Sequence, residues 1–201
     1  MKKTLKTLLL TLLFLIALAL FSNVKANSIS KISMDIYVDS YGTAHVTESW
    51  KCSASNGTEV YHPYYNLGNS QIQNLTVSDE TRTYDTLFSW STSGSLSSKA
   101  YKCGINKISD GVELCWGIST YGSHTYTVKY NITNFVSELS DGNQMIYWTL
   151  IPYDFSNTIG SVYIKIYADR YMPNTIDVWG YGNTGYTYVY DGYIEMDSDG
   201  K

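Results

Sequence analysis

The chain has 201 residues, 44% of them hydrophobic and 16% charged, with 20 Tyr, 5 Trp, 3 Cys and a formal net charge of −4. That composition excludes a disordered tail, a collagen-like repeat and a coiled coil, and the length suits one domain able to bury a core. Nothing in it marks a reaction.

Lys2, Lys3 and Lys6 precede an apolar run over residues 8–21, and Val24, Lys25 and Ala26 follow in the pattern of a secretory cleavage site. The 14-residue run falls short of the roughly 20 residues that a membrane-spanning helix needs. Residues 1–26 therefore read as a signal peptide, with an uncleaved anchor as the alternative, and residues 27–201 as the extracytoplasmic domain. Cleavage would leave 10 basic and 18 acidic residues, a net charge of −8 with His neutral. Nucleic-acid binding calls for clustered Lys and Arg that displace counterions. Here the positive side chains are scattered singly, so the chain is expected outside the cell or on its surface and not on DNA or RNA.

Periodicity is two wherever it can be read. Ile32, Met34, Ile36 and Val38 alternate with polar residues, and after a turn over residues 39–42 the chain resumes with Ala44, Val46, Glu48, Trp50 and Cys52 on one face. This predicts an antiparallel pair with one wet face. Leu75 and Val77 suit a short strand, residues 84–90 another, and residues 91–98 a polar loop. Asp110 and Gly111 are expected to supply positive φ in a hairpin between residues 99–108 and 112–117. Tyr126, Val128, Tyr130 and Ile132 alternate next. The run MIYWTLI at 145–151 reads as a strand covered on both faces. Val162, Ile164, Ile166 and Ala168 alternate again, and residues 176–196 read as Tyr-rich hairpins. No segment after residue 26 has helical spacing. The expected fold is all-β: an antiparallel β-sandwich, immunoglobulin-like in general architecture. The final turn over residues 197–201 returns no strand, so the domain is expected to be truncated at its C-terminal end.

Glu48 is the oddest residue, because its parity puts a carboxylate on the dry face, where it needs a partner or a raised pKa. A structural acid bonded to a Tyr or a Lys is favoured over a catalytic one, since no second carboxylate or His follows at an acid/base spacing. His45, His62 and His124 are far apart in sequence and none sits in a metal-binding spacing. Asp197, Ser198, Asp199 and Gly200 match only the start of a calcium loop. No catalytic, cofactor or metal residue is assigned. Cys103 and Cys115 flank the 110–111 turn, so a disulfide across that hairpin is one reading, and three small apolar fillers, Cys52 included, is the other. The Tyr clusters at Tyr61, Tyr64 and Tyr65, and from Tyr181 to Tyr193, suit cross-strand pairs or a sugar- or protein-binding platform.

The 39–42 turn leading into VTE at Val46, Thr47 and Glu48, SDGVEL at 109–114, HTYTVKY at 124–130 and IYWTLIP at 146–152 together resemble the exported N-terminal domain of the predicted membrane proteins of domain of unknown function family 2207. The likeness covers nearly all of the chain beyond residue 26. It implies a β-sandwich outside the cytoplasm, tethered to membrane spans that lie beyond this sequence, with no assigned reaction. Where that family often has Arg before an Ile-Pro pair, this chain has Tyr61, His62 and Pro63. The expected function is thus a non-catalytic module of a membrane-anchored cell-surface protein, with a surface protein or glycan as partner. The alternative is a secreted carbohydrate-binding or adhesion module that uses exposed Tyr and Trp.

Overall fold

Alternation of apolar and polar residues decides most of the architecture. The computed structural model describes residues 27–152, 155, 157 and 159–168. The expected signal peptide, the hairpins over 176–196 and the turn at 197–201 lie outside the described residues. Strand β1 (Ser28–Val38) runs into β2 (Ala44–Ala54) through a turn that Asp39 builds. Its Oδ1 accepts from the backbone N–H of Tyr41 and Thr43 at 2.9 and 3.0 Å, and Gly42 takes the left-handed φ of 76°. Then come β3 (Glu59–Tyr65), β4 (Ile72–Ser78), the two-residue β5 (Asp85–Thr86), the one-turn helix α1 (Leu96–Lys99), β6 (Lys102–Ile108), β7 (Gly111–Gly117), β8 (Gly122–Ile132), β9 (Val136–Glu138), β10 (Gln144–Ile146) and β11 (Val162–Ala168). No helix of the described residues is long and apolar enough to cross a membrane.

The strands form a five-stranded sheet in the order β11-β1-β2-β8-β4, a four-stranded sheet in the order β3-β7-β6-β5, and a β10-β9 ribbon. The fold is all-β. The sheets are mixed and not purely antiparallel as expected, because β11 pairs with β1, and β5 with β6, in parallel. On the five-stranded sheet one face is dry, with Ile32, Met34, Ile36, Val46, Trp50, Val128, Tyr130 and Ile132 buried. The other presents His45, Thr47, Lys51 and Lys129 to solvent or at half burial. The core draws on both large sheets: Trp50 of β2 meets Trp116 of β7 edge-on with ring centroids 5.3 Å apart.

Four local expectations are corrected. The polar loop at 91–98 ends in α1, whose N-terminus is capped by Ser95, its Oγ accepting from Ser98 N–H at 3.2 Å. The β6–β7 hairpin forms, but its loop is Ser109 and Asp110, and neither Asp110 nor Gly111 has positive φ. Gly111 is required for a different reason: a Cβ there would lie 1.9 Å from the Tyr64 carbonyl oxygen of neighbouring β3. The run at 145–151 is not a doubly covered strand. Met145 and Ile146 belong to the exposed β10, Tyr147 is exposed, and only Trp148, Leu150 and Ile151 are half-buried against the core. Finally, Cys103 and Cys115 are not bridged. Cys103 stands opposite Trp116 and Cys115 opposite Gly104, so the two thiols point to opposite faces of one sheet, and all three cysteines are free.

Candidate functional site

Glu48 sits mid-strand on β2, between Met34 of β1 and Val128 of β8, with its side chain wholly buried. Period-two alternation places it there, and a buried carboxylate has to be surrounded by donors. Three elements supply them. From β2 itself Trp50 donates Nε1–H to Oε2 at 2.5 Å. From β8, Tyr130 donates its hydroxyl to Oε1, and Tyr64 of β3 lies against that hydroxyl at 2.5 Å. From β3 comes His62, also wholly buried, with Nδ1 at 3.1 and 3.2 Å from the two carboxylate oxygens.

The proton positions follow from the acceptors. His62 Nε2 lies 2.9 Å from the Leu150 carbonyl oxygen, which only accepts, so Nε2 carries a hydrogen. Nδ1 faces a carboxylate, so a proton lies on that contact too. With Trp50 and Tyr130 already donating to Glu48, the charge belongs as carboxylate and imidazolium, a buried ion pair with hydrogen bonds on every side. Burial alone would raise the Glu48 carboxyl; the facing His62 and the hydrogen bonds from His62, Tyr130 and Trp50 outweigh it and hold the group below its ordinary value. Burial, together with the Glu48 charge, pushes the Tyr64 and Tyr130 hydroxyls well up. Both phenols stay neutral donors.

The segment after β10 closes the cluster. Trp148 donates Nε1–H to the Phe135 carbonyl at 2.9 Å and stacks on the Phe135 ring, Leu150 supplies the carbonyl for His62, and Phe155 packs on Trp50 and His62 at 5.6 and 5.7 Å. Three of the sequence pieces singled out above, VTE, HTYTVKY and IYWTLIP, thus meet here through Glu48, Tyr130 and Leu150. Chemically the cluster is a set of fixed dipoles around one ion pair with no exposed surface on either ionised side chain.

The other singled-out residues lie elsewhere. His45 is on the wet face, between Asp39 Oδ2 at 2.9 Å and Asn131 Oδ1 at 3.1 Å. His124, opposite Cys52, is at the open end of β8. Burial lifts the Cys52 thiol to about 12 and raises Cys103 and Cys115 as well. Of the tyrosines, Tyr64, Tyr84, Tyr126 and Tyr130 are buried, whereas Tyr41, Tyr121, Tyr147 and Tyr163 are exposed. Sequence reading missed His62 as the partner of Glu48. It also missed a second polar centre, where Lys99 Nζ, almost wholly buried, donates to Glu59 Oε2 at 2.7 Å and to the Thr92 carbonyl at 2.6 Å.

A search of the curated proteins found no match. Among solved structures, native yeast LTA4 hydrolase is similar at 8% identity and a TM-score of 0.44, over 74% of this chain and 24% of that one. An M1 zinc metallopeptidase from Deinococcus radiodurans is similar at 7% identity and a TM-score of 0.32, over 56% and 22%. The chain spans less than a quarter of either protein, and at those TM-scores neither likeness extends to fold or activity. The family model described as predicted membrane protein (DUF2207) N-terminal domain matches residues 28–198.

Proposed function

Since this chain belongs to the DUF2207 N-terminal domain family of predicted membrane proteins, we propose that it is a non-catalytic extracytoplasmic module of a membrane-anchored cell-surface protein. The observation that carries the reading is the family match itself, which begins at residue 28, directly behind the stretch whose charged, apolar and small-residue regions resemble a secretory signal. The acidic balance beyond residue 26 supports residence outside the cytoplasm. The two large sheets, joined by the Trp50 and Trp116 contact, support a sandwich architecture. A structural role for the Glu48 and His62 pair is supported by its burial, since catalysis requires the reacting groups to reach a substrate. The partner is a surface protein or glycan.

Expression of the full chain with a C-terminal epitope, followed by cell fractionation, protease shaving of intact cells and intact-mass analysis, tests this. The expected product lacks residues 1–26 and is recovered outside the cytoplasm, released to the medium or digested from outside on intact cells. A cytosolic, protease-protected species that keeps Met1 would overturn the proposal.

A further inference from the structure

At the end of the five-stranded sheet where β4 leaves β8, a second group of polar side chains gathers, and the buried pair described above takes no part in it. Asp79 opens the turn after β4, and its carboxylate is fixed from both sides. Oδ1 accepts from the Thr81 hydroxyl at 2.6 Å, Thr81 N–H at 2.8 Å and Arg82 N–H at 3.1 Å, and Oδ2 accepts from the hydroxyls of Tyr84 at 2.9 Å and Ser119 at 3.3 Å. Glu80 follows, half-exposed, with Oε1 accepting from Thr125 N–H. His124 comes from β8 and is mostly buried. One ligand atom from each of the three residues lies within 4.8 Å of the other two.

The imidazole is oriented. Its Nε2 lies 2.7 Å from the Thr120 carbonyl oxygen, so Nε2 carries the hydrogen, and in the neutral ring the Nδ1 lone pair is left facing Glu80 Oε2 at 3.7 Å. That gap is too long for a hydrogen bond. An ion with bonds of about 2.1 Å to each atom spans it at an angle of roughly 120°. An imidazole held by a backbone carbonyl and a carboxylate held by hydroxyls form the outer hydrogen-bond pattern that orients metal ligands. The guanidinium of Arg82, next in the turn, is directed over the Tyr101 ring at 5.1 Å.

A separate observation concerns the tyrosine beside these three side chains. Tyr126 is 1% exposed, and its hydroxyl has no hydrogen-bond partner. Its ring stacks on His124 with centroids 5.5 Å apart and meets the edge of Tyr84, the residue bonded to Asp79. Burial, with Cys52, Asp79 and Glu80 nearby, raises the hydroxyl's pKa, so it stays a neutral donor. Water on an ion held by those carboxylates would supply the partner that a buried hydroxyl requires.

We propose that Asp79, Glu80 and His124 bind a divalent transition-metal ion of the zinc class, with the remaining coordination filled by water. One imidazole beside two carboxylates suits zinc and its neighbours and disfavours calcium and magnesium, which take all-oxygen sets.

Isothermal titration of the purified full chain with zinc chloride, and separately with calcium chloride, tests the proposal, together with the visible absorption of the cobalt(II) form. The expected result is one saturable zinc site per chain, no comparable calcium binding and a cobalt ligand-field band. Glu80→Gln, whose side-chain oxygen can still accept from Thr125 N–H, is expected to weaken zinc about tenfold or more. His124→Ala should remove the cobalt band, while His45→Ala, which alters the exposed imidazole and carboxylate contact with Asp39, should leave both readouts unchanged. No saturable binding, equal affinity for calcium, zinc affinity unchanged in Glu80→Gln, or loss of the site in His45→Ala would each overturn it.

Discussion

Replacing Glu48 tests the buried pair most directly, because removing the carboxylate and exchanging it for an amide of the same shape differ in what they leave unsatisfied. Glu48→Ala strands three buried donors, Trp50 Nε1–H, the Tyr130 hydroxyl and His62 Nδ1–H. Removing one member of a buried ion pair costs about 3–5 kcal/mol, which at about 2–4 °C per kcal/mol for a domain of this size lowers Tm by on the order of 10 °C. Glu48→Gln lets the network re-form. The amide oxygen accepts from Trp50, the amide nitrogen donates to a neutral His62 Nδ1, and Tyr130 turns its hydroxyl toward Tyr64. That variant is expected to lose about 1 kcal/mol, the worth of one hydrogen bond. The pH dependence gives a second readout. The folded Glu48 carboxyl is held below its ordinary 4.5, so its stabilisation is complete above that value and is lost as pH falls through the lower folded value. Wild-type stability should therefore fall as pH drops below 4.5, read by urea melts in steps through that range. Equal losses for Ala and Gln at neutral pH, or wild-type stability that does not fall below pH 4.5, would refute the assignment of an ionised, fully bonded Glu48.

Three further outcomes are expected. Gly111→Ala should cost about 1–3 kcal/mol in a urea melt, because the new methyl forces β3 away from β7; an unchanged midpoint would place β3 elsewhere. Glu59→Ala should cost about 3 kcal/mol by leaving the Lys99 ammonium buried without its carboxylate, whereas Glu59→Gln, which keeps an acceptor for Lys99 and for Trp90 Nε1–H, should cost less than half of that. The native protein should resist alkylation at mildly basic pH and yield three reactive thiols once unfolded, with Tm unaffected by reductant, because Cys52, Cys103 and Cys115 are free and burial raises their pKa; an intact mass showing an oxidised pair would contradict the register of β6 and β7.

Period-two alternation made β1, β2, β8 and β11 legible, and with them the parity of Glu48. The partner of Glu48 was hidden for a definite reason. Pro63 interrupts EVYHPYY and argues against a strand, but β3 lies at the edge of its sheet, where a missing N–H disturbs no ladder. That edge strand brings His62 against a residue on the other sheet, a proximity that no sequence spacing encodes. MIYWTLI misled in the opposite sense: its apolar side chains suggested a strand covered on both faces, yet the segment covers the polar cluster with Trp148 and Leu150 and leaves Met145, Ile146 and Tyr147 outside. The cysteines illustrate register. Near-symmetry about a turn suggested a bridge, but an offset of one residue sends neighbouring side chains to opposite faces.

The parallel pairing of β11 with β1 has a consequence for the order of assembly. Ser161 Oγ reaches the Ser30 carbonyl across 131 residues of chain, and Ile32 stands beside Val162. Closing so long a loop is entropically unfavourable before other contacts have shortened it, and folds dominated by such non-local pairings form on the scale of milliseconds to seconds. The β1–β2 and β6–β7 hairpins are local and can form first; β8 must then arrive from over eighty residues away to dock on β2, as the Tyr130 bond to Glu48 shows. Throughout that interval the first strand keeps one flank of unpaired backbone amides and carbonyls, on a segment carrying Ile32, Met34, Ile36 and Val38. During that interval β1 is the flank open to pairing with another copy of the chain, until β11 covers it.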